Sequence, residues 1–252
     1  MYQNIIITGA SNGLGMAMAK CYAAPGICLG LIGRNKDRLN QISDFCKHNG
    51  ATVESASIDI RNTDILIEWI TKFDYKHPVD LLIANAGVMH TTKPNNPREN
   101  NVIINEMFDI NFNGVINTVN PILDRMTIRK SGSIAIVSSL ATYYGIPSFP
   151  AYSASKAATK TYFEAIRGFY CRQGIYISIV CPSYINTDMT KNLKVNKFML
   201  TSPEAAANRI SRGIANHKLL ISFPWYHSFG MQVLRLLPER LADKILLLIL
   251  NK

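Results

Sequence analysis

The sequence predicts an α/β fold in which helices cover both faces of a doubly wound parallel sheet. Segments of helix length separate most of six short apolar runs, and such alternation is typical of parallel strands joined by right-handed crossovers. The runs are almost continuously apolar, as expected for strands buried on both faces. In chain order they read NIIITG, ICLGLIG, VESASI, VDLLIANAG, SGSIAIVSS and IYISIVCP.

The length and composition of the chain indicate a single hydrophobic core. The chain has 252 residues, 48% of them hydrophobic, and no linker rich in proline or serine. We predict a principal domain at residues 1–222 and an extension at residues 223–252, either part of that domain or a contact with a membrane or partner. The start, MYQNIIITGA, lacks the features of a secretory signal, so we expect a cytoplasmic protein.

The net charge and the spacing of the cysteines limit the partners and metal sites that the chain is expected to have. A net charge of +10 suits an anionic cofactor, an acidic partner, nucleic acid or an anionic membrane. The basic residues are spread along the chain, so we expect no nucleic-acid partner. The five cysteines are scattered without CxxC or metal-ligand spacing, which predicts reduced core residues and no metal site.

The first apolar run ends in the glycine-rich stretch TGASNGLG, directly before a helical segment. Ligands of open parallel sheets bind beyond the carboxyl ends of the strands. Gly9, Gly13 and Gly15 would permit a tight turn, close approach of a pyrophosphate to the backbone, and tight packing of helix on strand. The spacing is G-x-x-x-G-x-G, and a merely flexible turn is the alternative to a dinucleotide site.

The second apolar run ends in LIGRN and bears on the choice of cofactor. An acidic residue about 20 positions after the glycines would bind a ribose 2′-hydroxyl. Here that region holds Gly33 and Arg34. A guanidinium suits a 2′-phosphate, which predicts NADP(H) rather than NAD(H). The alternative is a solvated arginine at the start of a helix.

The stretch PAYSASKAATK places Tyr152 four positions before Lys156. On a helix, this spacing puts both side chains on one face. A free phenol titrates near pH 10, and a nearby ammonium or oxidised nicotinamide favours its phenolate form. The pair therefore suits acid/base chemistry, and the alternative is a surface helix that carries both residues by chance.

Taken in order, these motifs resemble those of the short-chain dehydrogenase/reductase family over almost all of residues 3–222. The resemblance rests on TGASNGLG, an aspartate after the third run, NAG, DINFNG, a serine 13 residues before the tyrosine, YxxxK and PSYINT. It implies a Rossmann-type fold and an oxidoreductase that moves hydride between a nicotinamide and a carbonyl or secondary alcohol. It also implies a homodimer or homotetramer, with the YxxxK helix often at the interface.

The resemblance also assigns roles to residues. It implies that Tyr152 is the general acid/base, that Lys156 activates it and binds ribose, that Ser139 orients the substrate carbonyl, and that Asn111 holds a relay water. The implied cofactor-binding residues are Gly9, Ser11, Asn12, Gly13, Leu14, Gly15, Arg34, Asn35, Asp59, Ile60, Asn85, Ala86, Gly87, Tyr152, Lys156, Pro182, Ile185 and Thr187.

Some of these positions have competing interpretations. Ser138 competes with Ser139, and the family's spacing selects Ser139. Asn111 would also suit helix capping or polar packing, and Asp59 would also suit the N-cap of the following helix.

Two positions depart from the family pattern. Ser183 replaces a glycine. Asn12 stands where many NADP-using members carry a basic residue, so Arg34 must carry the phosphate preference largely alone.

Two C-terminal regions bear on the substrate. Residues 188–202 match the family's substrate lid and mix apolar residues with three lysines, which suits an apolar substrate with negative charge or simply an amphipathic lid. The extension is rich in aromatic residues and leucine, and its ILLLIL stretch is far shorter than the roughly 20 residues that span a bilayer. It lies in a membrane interface, or it packs on the protein body or a partner subunit.

The leading function is an NADP(H)-dependent reductase of a hydrophobic or lipid-like carbonyl, with Tyr152 supplying the proton. A β-ketoacyl carrier-protein reductase is the alternative within the family and would exploit the basic surface. A non-catalytic NADP(H)-binding regulatory or scaffold protein is the alternative of another class. The complete set of Ser139, Tyr152, Lys156 and Asn111 favours catalysis.

Overall fold

The computed structural model describes residues 2–92, 96, 98–193 and 195–250. Its strands are β1 (Asn4–Thr8), β2 (Cys28–Gly33), β3 (Thr52–Ser57), β4 (Leu81–Ala84), β5 (Gly132–Val137), β6 (Ile175–Pro182) and β7 (Leu220–Phe223). Its α-helices are α1 (Gly13–Tyr22), α2 (Lys36–His48), α3 (Thr63–Lys76), α4 (Asn101–Phe108), α5 (Gly114–Arg129), α6 (Pro150–Cys171), α7 (Pro203–Ala215), α8 (Trp225–Leu236) and α9 (Glu239–Leu250).

The strands form one parallel sheet in the order β3-β2-β1-β4-β5-β6-β7. The chain winds outward from β1 to one edge, returns to β4 and winds to the other edge, so the topological switch lies between β1 and β4. This is the predicted Rossmann-type, doubly wound fold, and the prediction is confirmed. A ligand site is expected where the connections after β1 and β4 diverge.

The sheet separates two apolar layers because successive side chains of a strand point to opposite faces. In β1, Ile5 and Ile7 join a cluster with residues of α1, α2 and α7. Ile6, between them, joins a second cluster with residues of α3, α5 and α6. These two layers hold the carboxyl ends of the strands in fixed positions.

All six predicted strands are present, whereas β7 was not predicted. β7 lies at the sheet edge and is only partly buried, so it lacks the long apolar run that marks the central strands. Its last residue, Phe223, is the first residue of the predicted extension. The expectation that the cysteines are core residues holds for Cys28, Cys46 and Cys181 but is wrong for Cys21 and Cys171, which are exposed.

The extension folds back over the end of the sheet as α8 and α9. Leu234, Ala242 and Leu246 are buried against Ile146 and Phe149 of the loop before α6. The inner face of the extension is therefore a packing element. Within the described part of the chain, no helix has both the length and the apolar character to cross a membrane.

The outer face of α8 remains apolar. Trp225, Phe229 and Leu236 are 76%, 63% and 85% exposed. With Val233, which is also exposed, they follow one another at intervals of three or four residues, which places them on one side of the helix. Helix α8 thus has one face packed on the protein and one exposed apolar face, and the membrane contact stays a prediction.

Candidate active site

The glycine-rich loop lies between the carboxyl end of β1 and the start of α1. Gly9 has φ +68°, and a Cβ there would lie 2.9 Å from the Ala86 Cα. A Cβ on Gly15 would lie 2.1 Å from the Gly9 carbonyl oxygen, so Gly15 packs beneath the loop. Glycine is required at both positions because backbone from β4 and α1 approaches so closely. The loop thus keeps its upper surface free of side chains, as a cradle for a pyrophosphate requires.

Hydrogen bonds join this loop to the NAG motif after β4. The Asn85 and Ala86 backbone N–H groups donate to Thr8 Oγ1 at 3.1 and 3.2 Å, and Asn85 Nδ2 donates to the Thr8 carbonyl oxygen at 3.0 Å. Asn12 caps α1 by accepting from the Gly13 N–H at 2.8 Å. The structure therefore brings the two motifs together at the topological switch.

A second polar region lies at the start of α2, where Ser11, Arg34, Asn35 and Arg38 line the same cavity. Asn35 caps α2 by accepting from the Arg38 N–H at 2.9 Å. The sequence prediction missed Arg38, although its position one helical turn after Arg34 in GRNKDR was a usable signal. Arg38 is therefore a second cation at this end of the cavity, and its Nη1 donates to Asp188 Oδ2 at 3.1 Å.

Asp59, which follows β3, is held by Arg61. The Arg61 guanidinium donates to its two carboxylate oxygens at 3.1 and 2.7 Å, and Arg34 Nη1 lies 3.9 Å from Asp59 Oδ2. Arg61 is the main reason that the pKa of Asp59 is lowered, so the carboxylate stays ionised. The alternative role as N-cap of α3 is wrong, because Asn62 occupies the capping position.

Ser139 and Tyr152 meet at the centre of the cavity. Ser139 follows β5, and its hydroxyl accepts from the Ala141 N–H at 3.2 Å. Tyr152 lies in the first turn of α6, where its phenol interacts with the Ser139 hydroxyl. Ser138 has a different task, since its hydroxyl donates to the Lys156 carbonyl oxygen at 2.9 Å and so attaches α6 to the sheet.

The pKa of Tyr152, which is paired with Lys156 in the sequence, differs from the sequence prediction. Burial raises the pKa of Tyr152 to about 12, and the hydrogen bond with Ser139 offsets only part of this rise. Lys156 does not lower it in the protein alone, because its Nζ donates to the Val137 carbonyl oxygen at 2.8 Å. Burial lowers the pKa of Lys156 to about 8. Desolvation therefore dominates both groups.

Asn111 occupies a five-residue π-helical segment, Asp109–Asn113, between α4 and α5. Its side chain accepts from the Val88 N–H and donates to the Val88 carbonyl oxygen, both at 2.9 Å, and donates to Ser155 Oγ at 3.0 Å. Asn111 thus joins the loop after β4 to α6, which is the polar-packing alternative. Its water-holding role stays a prediction.

The segment after β6 closes the cavity over the glycine loop. Pro182, Ile185 and Thr187 line the cavity, and a Cβ on Gly13 would lie 3.0 Å from the Thr187 methyl carbon. Ser183 contacts His227 of α8, a residue that the sequence prediction did not single out.

One continuous cavity of about 820 Å³ connects these groups. Charged side chains among its described lining residues are Arg34, Arg38 and Asp59 at one end and Lys156 at the centre. The other end is an apolar chamber. Its walls include Met89, Phe149, Leu193, Met199, Met231, Leu234, Leu237 and Leu246, the last four of which come from the extension.

These features fit a nicotinamide dinucleotide. The cradle after β1 is free of side chains, two guanidinium groups flank the start of α2, and the buried Lys156 stands between this half and the chamber. Of the predicted cofactor residues, Gly15 alone does not line the cavity in the described part of the chain, because it supports the loop from below.

The short chain dehydrogenase family matches residues 3–197, and the chain belongs to this family. An uncharacterized oxidoreductase from Myxococcus xanthus is 31% identical over 96% of this chain and 95% of the relative. The ketoacyl reductase HetN from Nostoc is 30% identical over 85% of this chain and 76% of the relative. Human estradiol 17-beta-dehydrogenase 11 is 29% identical over 94% of this chain and 79% of the relative.

The fold is also similar to that of solved structures. A short-chain dehydrogenase from Sphingobium yanoikuyae in complex with NADPH superposes with a TM-score of 0.79 at 19% identity, covering 87% of each chain. The chain is therefore an oxidoreductase of this family with a nicotinamide-binding fold.

Proposed function

We propose that the protein is an NADP(H)-dependent reductase of bulky, hydrophobic carbonyl compounds. The observation that carries the proposal is the single cavity in which Ser139 and Tyr152 stand between a cationic half and an apolar chamber. The cofactor would occupy the first half and the substrate the second, so that both meet at the phenol.

In this mechanism the bound nicotinamide supplies hydride chemistry, and the chain supplies the proton. With its pKa raised to about 12, the Tyr152 phenol is protonated at neutral pH and is ready to donate to a carbonyl oxygen. The Ser139 hydroxyl orients the same oxygen. Lys156, largely protonated below its pKa of about 8, presents its ammonium beside Gly87, where it would bind ribose hydroxyls.

Two cations support the preference for NADP(H). Arg34 precedes α2 and Arg38 lies in its first turn, where Arg38 Nη1 also donates to Asp188 Oδ2 at 3.1 Å, and both guanidinium groups could contact a 2′-phosphate. Asp59 would oppose a phosphate, but Arg61 binds its carboxylate bidentately and compensates its charge. The balance of charge at this end of the cavity is therefore positive.

The chamber supports a hydrophobic substrate. Within the lid, Met189, Leu193 and Met199 line the cavity whereas Lys191 does not, which favours the amphipathic-lid interpretation over recognition of negative charge. The similarity to estradiol 17-beta-dehydrogenase 11 supports a large alicyclic carbonyl. The similarity to ketoacyl reductase HetN keeps an acyl thioester as the second candidate.

The same proposal includes a location and an assembly. We propose a cytoplasmic homodimer or homotetramer that touches anionic membranes through the outer face of α8. Exposed aromatic residues on α6, Tyr162 and Phe169, support a subunit contact along this helix. The exposed apolar face of α8 supports the membrane contact.

The proposal is tested by the loss of NADPH absorbance with bulky ketones, aldehydes, acyl thioesters and 3-keto lipids. We expect turnover with bulky ketones and less than a tenth of this rate for Tyr152→Phe, which removes one hydroxyl and should leave NADPH binding nearly intact. Turnover of acyl thioesters alone would support the second candidate. Tight NADPH binding without turnover of any carbonyl would indicate a regulatory or scaffold protein.

A further inference from the structure

A second polar site lies inside the apolar chamber. Ser183 Oγ and His227 Nδ1 are 2.7 Å apart, and both residues line the cavity. Ser183 follows β6, next to Pro182 on the cofactor side, whereas His227 lies in the first turn of α8. The pair thus joins the two elements that bound the chamber on this side.

The 2.7 Å contact fits two hydrogen-bonding arrangements, in which the imidazole Nδ1 either accepts from or donates to the Ser183 hydroxyl. Burial lowers the pKa of His227, so its imidazole is neutral at pH 7. A neutral ring that accepts the Ser183 hydroxyl proton at Nδ1 carries its own proton on Nε2. The Ser183 N–H donates to the Phe223 carbonyl oxygen at 2.9 Å, which holds the serine in place. Among the described residues, Nε2 has no hydrogen-bond partner, so it is available to a ligand.

Several other polar groups line the same cavity, including Tyr184 and Tyr226, and some of them have tasks of their own. Ser139 and Tyr152 serve the reacting carbonyl, and the Thr190 hydroxyl donates to the Ile185 and Thr187 carbonyl oxygens of its own loop. Unpaired polar groups in apolar surroundings cost free energy, so His227 Nε2 favours a ligand that supplies a hydrogen-bonding partner.

We propose that the Ser183–His227 pair binds a second oxygen, a hydroxyl or carbonyl group on an otherwise apolar and uncharged substrate. This inference rests on the proposed function and names the substrate class more closely. The pair is neutral, and the charged side chains among the described lining residues belong to the cofactor half or to Lys156. A carboxylate or phosphate would therefore lose its hydration without gaining a counter-charge.

Ser183 itself contributes to the proposed specificity for a second substrate oxygen. A glycine at position 183 has no side chain to contact the imidazole, so the Ser183 hydroxyl is what holds the His227 ring in its orientation. Sites built to hydrogen-bond a substrate group discriminate strongly against analogues that lack it. Ser183 and His227 are thus specificity-determining residues for the proposed reduction.

The test compares three ketones on one fused-ring skeleton. The first has no other polar group, the second has one added hydroxyl, and the third has a carboxylate at the position of that hydroxyl. We expect the wild-type protein to prefer the hydroxyketone over the plain ketone by at least about tenfold in kcat/KM, mainly through KM, and to use the carboxylate poorly. His227→Leu and Ser183→Gly should reduce this preference to about twofold or less, whereas NADPH binding should not change.

Ser228→Ala is the matched control. The Ser228 hydroxyl donates to Ser222 Oγ at 3.0 Å, so it also attaches α8 to the sheet, but neither serine lines the cavity. This variant should keep the wild-type preference. If His227→Leu instead lowers kcat/KM for all three ketones equally, together with Tm, the pair merely holds α8 and the inference is wrong. Turnover of the plain ketone without any preference would overturn this inference alone, whereas absence of turnover with every carbonyl would overturn the proposed function as well.

Discussion

Replacing Arg34 by aspartate tests the cofactor preference directly. The Arg34 guanidinium is 55% exposed and lies 3.9 Å from Asp59 Oδ2, at the cavity end that would receive a 2′-phosphate. Loss of a charge-assisted hydrogen bond costs about 1.5–3 kcal/mol. A new carboxylate beside the phosphate adds roughly 1 kcal/mol of repulsion at a water-exposed site. The total of about 2.5–4 kcal/mol predicts an NADPH Kd that is roughly 70- to 900-fold weaker.

Titration calorimetry with NADPH and NADH measures this effect. NADH lacks the 2′-phosphate, so its Kd should change by less than about threefold, because only the weak surface charge effect remains. Lys36→Asp is the matched control, since it makes the same charge change at an exposed α2 residue that does not line the cavity. The reasoning is wrong if the unmutated protein binds both cofactors equally, or if Lys36→Asp weakens NADPH as much as Arg34→Asp.

Three further predictions concern the reacting centre and the extension. Ser139→Ala should abolish most turnover. Ser138→Ala should mainly lower Tm, because the Ser138 hydroxyl donates a hydrogen bond to the backbone of α6. The kcat/KM for reduction should be level below pH 8 and should fall above it, as Lys156 loses its proton at a pKa of about 8. Replacing both Trp225 and Phe229 by serine should weaken co-sedimentation with anionic vesicles but should leave NADPH oxidation unchanged, since these side chains do not line the cavity.

Each of these experiments has a contradicting outcome. A larger loss of turnover for Ser138→Ala than for Ser139→Ala would reverse the assignment of the serines. A reduction rate that rises between about pH 7 and 9 would show that the ammonium of Lys156 is not needed. Equal loss of vesicle binding for Ile128→Ser, which removes an exposed apolar side chain from α5, would show that the membrane contact is not specific to α8. Vesicle binding should also weaken with salt, because each basic residue near the surface contributes about 1 kcal/mol.

The local sequence was sufficient for the sheet and for the glycine loop. Buried parallel strands need nearly continuous apolar runs, and such runs mark the central strands β1, β2, β4, β5 and β6. The glycines were recognisable because only glycine tolerates the positive φ of Gly9 and the backbone contact at Gly15. Such constraints act over a few residues, so they can be recognised from the residue types at those positions.

The sequence did not disclose contacts between distant segments. Arg38 meets Asp188 across 150 positions, and Ser183 meets His227 across 44. An apolar stripe shows that a helix face is buried, but it does not show which neighbour covers it. The structure shows that the inner face of the extension packs on the protein, whereas a membrane contact of its outer face stays a prediction.

The pKa values of the site residues also depend on the tertiary structure. The sequence pairs Tyr152 with Lys156 and predicts a lowered pKa for the phenol, but burial raises it to about 12 and directs Lys156 to the Val137 carbonyl oxygen. The sequence by itself was enough to predict that the candidate site residues lie near one edge of the sheet, since they follow the strands in order, and their roles in the chemistry stay predictions. The desolvation of these groups depends on how whole helices and strands pack, and so does the chamber that the extension forms over them. Local residue patterns do not encode that packing.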